Sequence, residues 1–459
     1  MTFDKTLLIY PPSNTIEGIT DEITMLEPLG LEYIAAAFGD KPVKILDMRL
    51  ETRFREALLS FRPTTVGFSA LTCHVNTVNK LAKECKTILP ECFVMVGGQH
   101  ATVMPVDFEV KEVDMIVRGS GYGAIEELLK AGRGQASVEG VSLKKGSGFT
   151  PATIRGYNDL DQYRFPRRDL VSNNIHRYRY GWHLGVSSIQ TSVGCPFHCS
   201  FCTTDVLTKG KYIKRSIDNV ISELKSIETK NIYFTDDEPM IDYDRMDKMA
   251  ERIMVEGIDK KYIFYARADD IVNHREVFVK WKKIGLDKLM VGYESPSAIK
   301  LVEMNKKITI DVQLKATKIL DEIGITFEPL FIVDPDFSRE DFNKLGNYVR
   351  TQKFLWPAYS ILTPIPGSRL YEEKKENIVN KDWDYFDGAH AVVRTKLPDK
   401  VFYGLFKKVT RGYSLLNKIR VLFKFPFRMY PSLIKVYLKA RINDFLPRSS
   451  KIVCGDICK

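Results

Sequence analysis

The chain has no run of about 18 uninterrupted apolar residues, so no membrane-spanning helix is expected from it. Its N-terminus lacks the basic, apolar and small-residue order of a secretory signal. Eight cysteines among 459 residues are too few for a disulfide scaffold and suit a reducing compartment, so a cytoplasmic protein is expected. Histidine is scarce, and His74 and His100 are the sole histidines of the first 131 residues. Acid is nearly missing from one segment. Between Gly404 and Arg448 eleven Lys and Arg face a single acid, Asp444, and that difference of ten equals the net charge of the whole chain, +10. The basicity therefore belongs to one C-terminal element.

What is present is globular, and the length suits about two to three domains. In residues 1–131 short apolar runs alternate with helical patterns. Thr6 to Tyr10, Val43 to Asp47, Thr65 to Ala70, Phe93 to Val96 and Asp114 to Val117 read as strands. Helices are expected near Leu29 to Phe38, Arg53 to Ser60, Val75 to Ile88 and Ala124 to Lys130. Alternation of this kind predicts a parallel, doubly wound, Rossmann-like sheet, with ligands beyond the carboxyl ends of its strands. Those ends carry Ser13, Thr72, the run Gly97-Gly98-Gln99-His100, and Gly119.

Residues 132–170 read as a glycine-containing linker, with a small hairpin pairing Val141–Leu143 and Phe149–Ile154. A second alternating series fills 171–395. Its strands are expected at Gly185–Ser192, Asn231–Thr235, Tyr262–Arg267, Lys288–Tyr293, Thr326–Val333 and Ala358–Leu362, with helices such as Ile217–Thr229 and Tyr243–Glu256. Six βα units are too few for a closed eight-stranded barrel. Their C-terminal strand ends are polar: Asp236-Asp237-Glu238, Arg267 and Glu294. Acids there either serve chemistry or cap the helices that follow.

The most specific stretch is Gly194-Cys195-Pro196-Phe197-His198-Cys199-Ser200-Phe201-Cys202, three thiols at C-x3-C-x2-C spacing. Four thiolates fill a [4Fe–4S] cluster, and three leave one iron open. A Cys3His zinc site that includes His198, or unrelated buried thiols, are the alternatives. The spacing resembles the radical S-adenosylmethionine (SAM) enzymes. That likeness implies a partial (β/α)6 barrel, a cluster on Cys195, Cys199 and Cys202, and SAM on the open iron. It also implies SAM contacts from Asp236, Asp237, Glu238, Arg267 and Glu294. A preceding Rossmann-like domain resembles the cobalamin-binding class of these enzymes, and Gly97 to Thr102 is similar to their GGxHaT-type stretch. Ser13, Thr72, Gly97, Gly98, His100 and Gly119 are then the implied cobalamin contacts. The D-x-H-x-x-G histidine of other cobalamin domains is missing from Asp47-Met48-Arg49-Leu50-Glu51, so no lower cobalt ligand is assigned.

The phrases CSFC, FTDDE, YARAD, GYES, FIVDPDF and LTPIPGSRLY, in that order, resemble the hopanoid C-3 methylase group. The resemblance implies C-methylation of an unactivated carbon in a lipid or isoprenoid, with an external flavodoxin- or ferredoxin-type electron donor. An oxidative cyclase or carbon-skeleton enzyme without methyl transfer, and an RNA-modifying enzyme, are the rival readings. Nucleic acid is the weaker partner, because Cys73, Cys85 and Cys92 make poor geometry for a second cluster. Residues 396–459 read as a basic, largely helical tail that interleaves aromatics with Lys and Arg. Such a tail is expected to dock on an anionic inner-membrane surface and bring the barrel mouth to it, or to pack as a helical cover.

Overall fold

A computed structural model describes residues 3–13, 23–131, 137–411, 415–431 and 433–434. The first sheet contains β1 (Thr6–Tyr10), β2 (Val43–Asp47), β3 (Thr65–Ser69), β4 (Phe93–Gly97), β5 (Met115–Val117), β6 (Val141–Lys145) and β7 (Gly148–Phe149). Their order is β2-β1-β3-β4-β5-β6-β7, parallel through β5 and antiparallel beyond it. Side chains alternate across β1. Leu7 and Ile9 enter one core with Phe54, Leu58, Val75 and Val78, while Leu8 enters the other with Leu31, Ala35, Tyr122 and Ile125. Helices thus cover both faces, as a doubly wound sheet requires. The expected hairpin is shorter than the apolar pattern implied, because β7 pairs only at Gly148 and Phe149. A helix at Gln99–Val103, which the sequence did not signal, follows β4.

The second sheet is an open half-barrel of six parallel strands in sequential order: β8 (Val186–Ile189), β9 (Asn231–Phe234), β10 (Lys261–Arg267), β11 (Leu286–Glu294), β12 (Thr326–Val333) and β13 (Ala358–Ile361). Outward residues such as Ile232, Phe234, Phe264 and Leu289 pack on the helices, and Val186, Tyr233, Ile263 and Met290 fill the interior. The expected strand Gly185–Ser192 breaks after Ile189. Ser192–Val193 leaves the sheet and pairs with Ile213–Lys214 to launch the cysteine loop.

An open barrel leaves the outer edge of β8 without a strand partner. Charged side chains occupy that edge. Glu27 accepts from Ser188 N–H at 2.5 Å, Arg168 donates to Ser188 O at 2.5 Å, and Arg215 donates to Gln190 O at 2.8 Å. Glu223 binds both guanidinium groups, Arg168 at 2.6 Å and Arg215 at 2.5 Å. Glu32 adds a third buried carboxylate, and neither of its oxygens has a hydrogen-bond partner among the described residues. Burial drives Glu27 up to about 7, against the pull of Arg168, and drives Glu32 well above the usual carboxylate range.

The tail corrects an expectation. The helix Leu415–Lys424 lies at the N-terminal end of the strands, not at the mouth. Phe425 packs on Trp182 and Trp356 there, and Lys424 Nζ donates to Thr326, the first residue of β12, at 3.0 Å. This foot also holds a buried Lys288–Glu328 pair at 2.6 Å beneath Trp182. The eight-residue run of β12 puts this described part of the tail about 26 Å from the catalytic end, at roughly 3.3 Å per residue. Residues from 435 onward, including Lys435, Lys439, Arg441, Cys454 and Cys458, lie outside the described residues.

The edge network predicts a pH dependence. The Glu27 carboxyl rises from 4.5 to about 7 on folding, so between those values the folded protein holds the extra proton and stability falls as pH rises. Urea unfolding followed by circular dichroism should show a higher midpoint near pH 5 than near pH 8, and Glu27→Gln should flatten that difference. An unchanged slope in the variant would assign the dependence to other groups.

Candidate active site

The cysteine loop starts at Gly194, whose φ is +96° and whose hydrogen atom faces Lys211 O, where a Cβ would come within 1.9 Å. Cys195, Cys199 and Cys202 are half-buried free thiols. Several ties fix the loop to the barrel. The Arg267 guanidinium lies 3.8 Å from the centroid of Phe197. Ser200 N–H donates to Met304 O at 3.1 Å, Leu370 N–H donates to Ser200 O at 2.8 Å, and Asn305 donates to His198 O at 2.7 Å. His198 itself pairs through Nδ1 with Asp205 at 2.9 Å on the surface. Among the described residues no three donors are already drawn together as a metal site, so iron would have to close the loop around itself.

The donor chemistry fits an iron–sulfur cluster. Burial pushes Cys195 up to about 12 and raises Cys199, while Lys306 and Arg267 pull Cys199 the other way. Iron must expel these thiol protons, and the two cations offset the thiolate charge that results.

At the ends of β9 to β11 the acids divide by role. Asp236, one of the expected SAM contacts, has partners of its own within the chain. Its carboxylate is fully buried and accepts from Thr191 N–H (2.6 Å), Thr191 Oγ1 (2.5 Å) and Ser192 Oγ (2.8 Å), so it fixes the break after β8. Asp237 is exposed and likewise has partners within the chain. It accepts from Gly194 N–H at 2.8 Å and Thr204 Oγ1 at 3.0 Å, and so anchors both ends of the cysteine loop. Arg267 is held bidentately by Asp269, at 3.0 Å on each arm, and donates to Lys306 O at 3.0 Å. It positions loop and strand.

Glu238 and Glu294 remain buried at the mouth. Glu294 pairs with Lys306 at 2.6 Å and takes a left-handed φ of +59°. Gly292 makes that pair possible, since a Cβ there would meet Glu294 Oε1 and Lys306 Nζ, each at 2.6 Å. Sequence reasoning missed Lys306, which no motif marks, and Asp270, which stands beside the more conspicuous Asp269. Asp270 Oδ2 is buried without a partner among the described residues. Burial and the charge of Asp269 raise Asp270 to about 7, and its own charge raises Glu238 further. Two acids around an unfilled acceptor fit the ammonium or ribose hydroxyls of SAM.

Across a gap stand the strand ends of the first sheet. Thr72 lines a cavity of about 280 Å³ with Leu71, Cys73 and Gln99 of that sheet, Phe201 of the cysteine loop, and Ile332, Leu362, Ile365 and Phe386 of the barrel. Gln99 donates to Thr203, the residue after Cys202, at 2.5 Å. The cavity therefore joins the β3–β4 ends to the cluster loop, and its polar rim at Thr72 and Gln99 fits one face of a corrin. The other expected contacts have the following surroundings within the chain. At Gly98 (φ +103°) a Cβ would meet Ala70 N at 2.7 Å, and at Gly119 (φ +87°) it would meet Arg155 O at 2.0 Å, so these glycines serve packing inside the domain. Gly97 is an ordinary strand residue 3.6 Å from Val117 in the same sense. Ser13 ends the described part of the β1 loop. His100 is fully buried, with Nδ1 3.1 Å from Thr72 Oγ1 and Nε2 2.8 Å from Asp107, and cannot reach a cobalt ion directly.

Comparison with known proteins agrees with this arrangement. Residues 24–129 match the B12 binding domain and residues 189–349 the Radical SAM superfamily. The hopanoid C-3 methylase of Methylococcus capsulatus is 32% identical over 394 residues, covering 83% of this chain and 75% of that protein. An uncharacterized methyltransferase of Pyrococcus horikoshii is 28% identical over 91% of this chain and 94% of its own length. The solved radical SAM methyltransferase TsrM of Kitasatospora setae, with cobalamin and a [4Fe–4S] cluster bound, superposes with a TM-score of 0.67 at 16% identity, covering 83% of this chain and 79% of that one.

Asp270 yields the prediction of this site. An ammonium group received by its carboxylate binds more tightly once Asp270 is ionised, so SAM affinity should rise about tenfold between roughly pH 6 and pH 8. Equilibrium binding to Asp270→Asn should be weaker at high pH and lose that rise. A variant with the wild-type profile would place the ammonium elsewhere.

Proposed function

The chain belongs to the cobalamin-binding radical SAM enzymes, and from that membership we propose that it methylates an unactivated carbon of an apolar, hopanoid-like lipid or isoprenoid. It is a radical SAM methyltransferase whose cofactors are a [4Fe–4S] cluster, SAM and cobalamin. The observation that carries the substrate class is the cavity between the cysteine loop and Thr72, walled by Phe201, Ile332, Leu362, Ile365 and Phe386. These side chains exclude water from an apolar substrate, and Thr72, Gln99, Ser360, Thr363 and Asp387 are the polar groups that share the lining.

Cys195, Cys199 and Cys202 would hold the cluster, Glu238, Asp270 and Glu294 would frame SAM, and Leu71, Thr72 and Gln99 would face cobalamin. When bound, these groups supply reductive SAM cleavage, hydrogen abstraction and a transferable methyl group. The chain's own residues do the rest. Arg267, through Phe197 and the Lys306 carbonyl, fixes the cysteine loop over the mouth. Lys306 keeps the Glu294 carboxylate oriented at the end of β11. The apolar wall shields the reacting carbon from water. The electron comes from an external flavodoxin- or ferredoxin-type donor.

A bilayer contact belongs to the same reading. Leu422, Phe423 and Phe427 are exposed at the barrel foot beside Arg420 and Lys424, and Lys261 and Lys282 lie near that foot. No helix of the described residues is long and apolar enough to cross a membrane, so the contact would be peripheral.

Anaerobically reconstituted protein, given SAM, methylcobalamin, a reduced flavodoxin and an isoprenoid lipid extract, should yield 5′-deoxyadenosine and a lipid heavier by one methyl group. The Cys195/Cys199/Cys202→Ala variant should yield neither. SAM cleavage with a cyclised or unmethylated product would overturn the methylase reading. In a parallel arm the wild type should float with anionic vesicles at low salt, and the Phe423→Ser/Phe427→Ser variant should float less. Equal flotation would return the tail to a packed cover.

A further inference from the structure

His100 is an odd residue to find inside a cofactor domain. It is fully buried and both ring nitrogens are engaged, yet it sits one residue from the Gln99 that lines the cavity. The neighbouring elements hold it firmly. Phe108 and Trp383 pack edge-on to the ring, at 5.8 Å and 5.0 Å between centroids. Trp383 comes from the segment after the barrel, and that segment is anchored by Asn76, which donates to Asp382 at 2.7 Å and Asp384 at 3.1 Å. The ring cannot swing out without breaking the contact between the two domains.

The partners fix its tautomer. A carboxylate can only accept, so the 2.8 Å contact with Asp107 places the proton on Nε2. In a neutral ring Nδ1 then accepts, and the 3.1 Å contact makes the Thr72 hydroxyl the donor. The Thr72 hydrogen is thereby committed to the ring, and Oγ1 of this cavity-lining residue keeps its lone pairs for an outside donor. The chain Asp107–His100–Thr72 is a relay that decides which polarity the domain shows at that wall.

We propose that Asp107 and His100 are positioning residues that make the Thr72 oxygen a fixed hydrogen-bond acceptor for an N–H or O–H donor of bound cobalamin, either a corrin amide or a water on the cobalt. This rests on the reading of the 280 Å³ cavity as the place where cobalamin meets the barrel. It gives a domain without the D-x-H-x-x-G histidine a different way to hold its cofactor. The polar control comes from the β3–β4 ends, and it reaches the cofactor through a hydroxyl instead of an imidazole. The relay also accounts for the burial of His100, which a direct cobalt ligand would contradict.

The experiment measures hydroxocobalamin binding to the cluster-free full chain by absorbance titration. Wild type is the control: if it shows no corrinoid binding, the cavity reading itself fails. If it binds, Thr72→Val should weaken binding about tenfold and Thr72→Ser should restore it, since one hydrogen bond to a neutral partner accounts for about that factor. Asp107→Ala should weaken binding in the same direction, and the Thr72→Val/Asp107→Ala double variant should be no weaker than Thr72→Val alone, because the relay acts as one unit. The electron paramagnetic resonance spectrum of the bound Co(II) form separates the two donors. A cobalt hyperfine pattern altered by Thr72→Val identifies an axial water, and an unaltered pattern identifies a corrin amide. Wild-type affinity in Thr72→Val, or additive losses in the double variant, would overturn the proposal.

Discussion

A half-barrel cannot close on itself, and everything catalytic here depends on how its first edge is covered. Strand β8 offers N–H and C=O groups at its outer edge, and among the described residues no strand comes to pair with them. Glu27, Arg168 and Arg215 take the place of that strand, with Glu223 holding both guanidinium groups. Glu27 comes from the first third of the chain, Arg168 from the connector, and Arg215 and Glu223 from the barrel. One buried network therefore seals the sheet and locks the two domains against each other. The geometry of the cavity follows, since its wall is shared by β3 and β4 ends, the cysteine loop and the last barrel strands.

A buried network with three carboxylates and two guanidinium groups is not an economical source of stability. Desolvating such charges costs several kcal/mol per ion, and their attraction does little more than offset it. Its value is specificity, because an apolar seal would tolerate sliding along the β8 edge and hydrogen bonds to named backbone atoms do not. The same logic recurs at the mouth. Asp236 and Asp237 are spent on the break after β8 and on the ends of the cysteine loop, and Arg267 on Phe197 and the Lys306 carbonyl.

Much of this was legible in the sequence. Alternating apolar runs located the strands to within a few residues, because side-chain burial sets their period. The three thiols stood out because a cluster would dictate both residue type and spacing. The acids were not separable by sequence. Asp236, Asp237 and Glu238 are consecutive and chemically alike, and only the structure shows that Asp236 and Asp237 hold the cysteine loop and its approach while Glu238 caps the turn at Met240, fully buried beside Asp270. Lys306 and Asp270 escaped because their roles come from partners distant in sequence, Glu294 and Glu238. Gly98 and Gly119 looked like space left for a ligand. The space is filled by the chain itself, by Ala70 and Arg155. The tail's interleaved pattern suggested an amphipathic helix, but periodicity carries no information about which end of a barrel a helix covers.

The central claim is the proposal that cluster, SAM and cobalamin would meet at the cavity shared by Phe201 of the cysteine loop and the Thr72 wall. The most direct measurement is pulsed electron paramagnetic resonance on protein carrying both Co(II) cobalamin and the one-electron-reduced cluster. Two spins facing each other across this cavity should show a strong magnetic coupling that broadens both signals, and the coupling should persist when SAM is added. Two sharp, independent signals from protein shown to hold both centres would contradict the account.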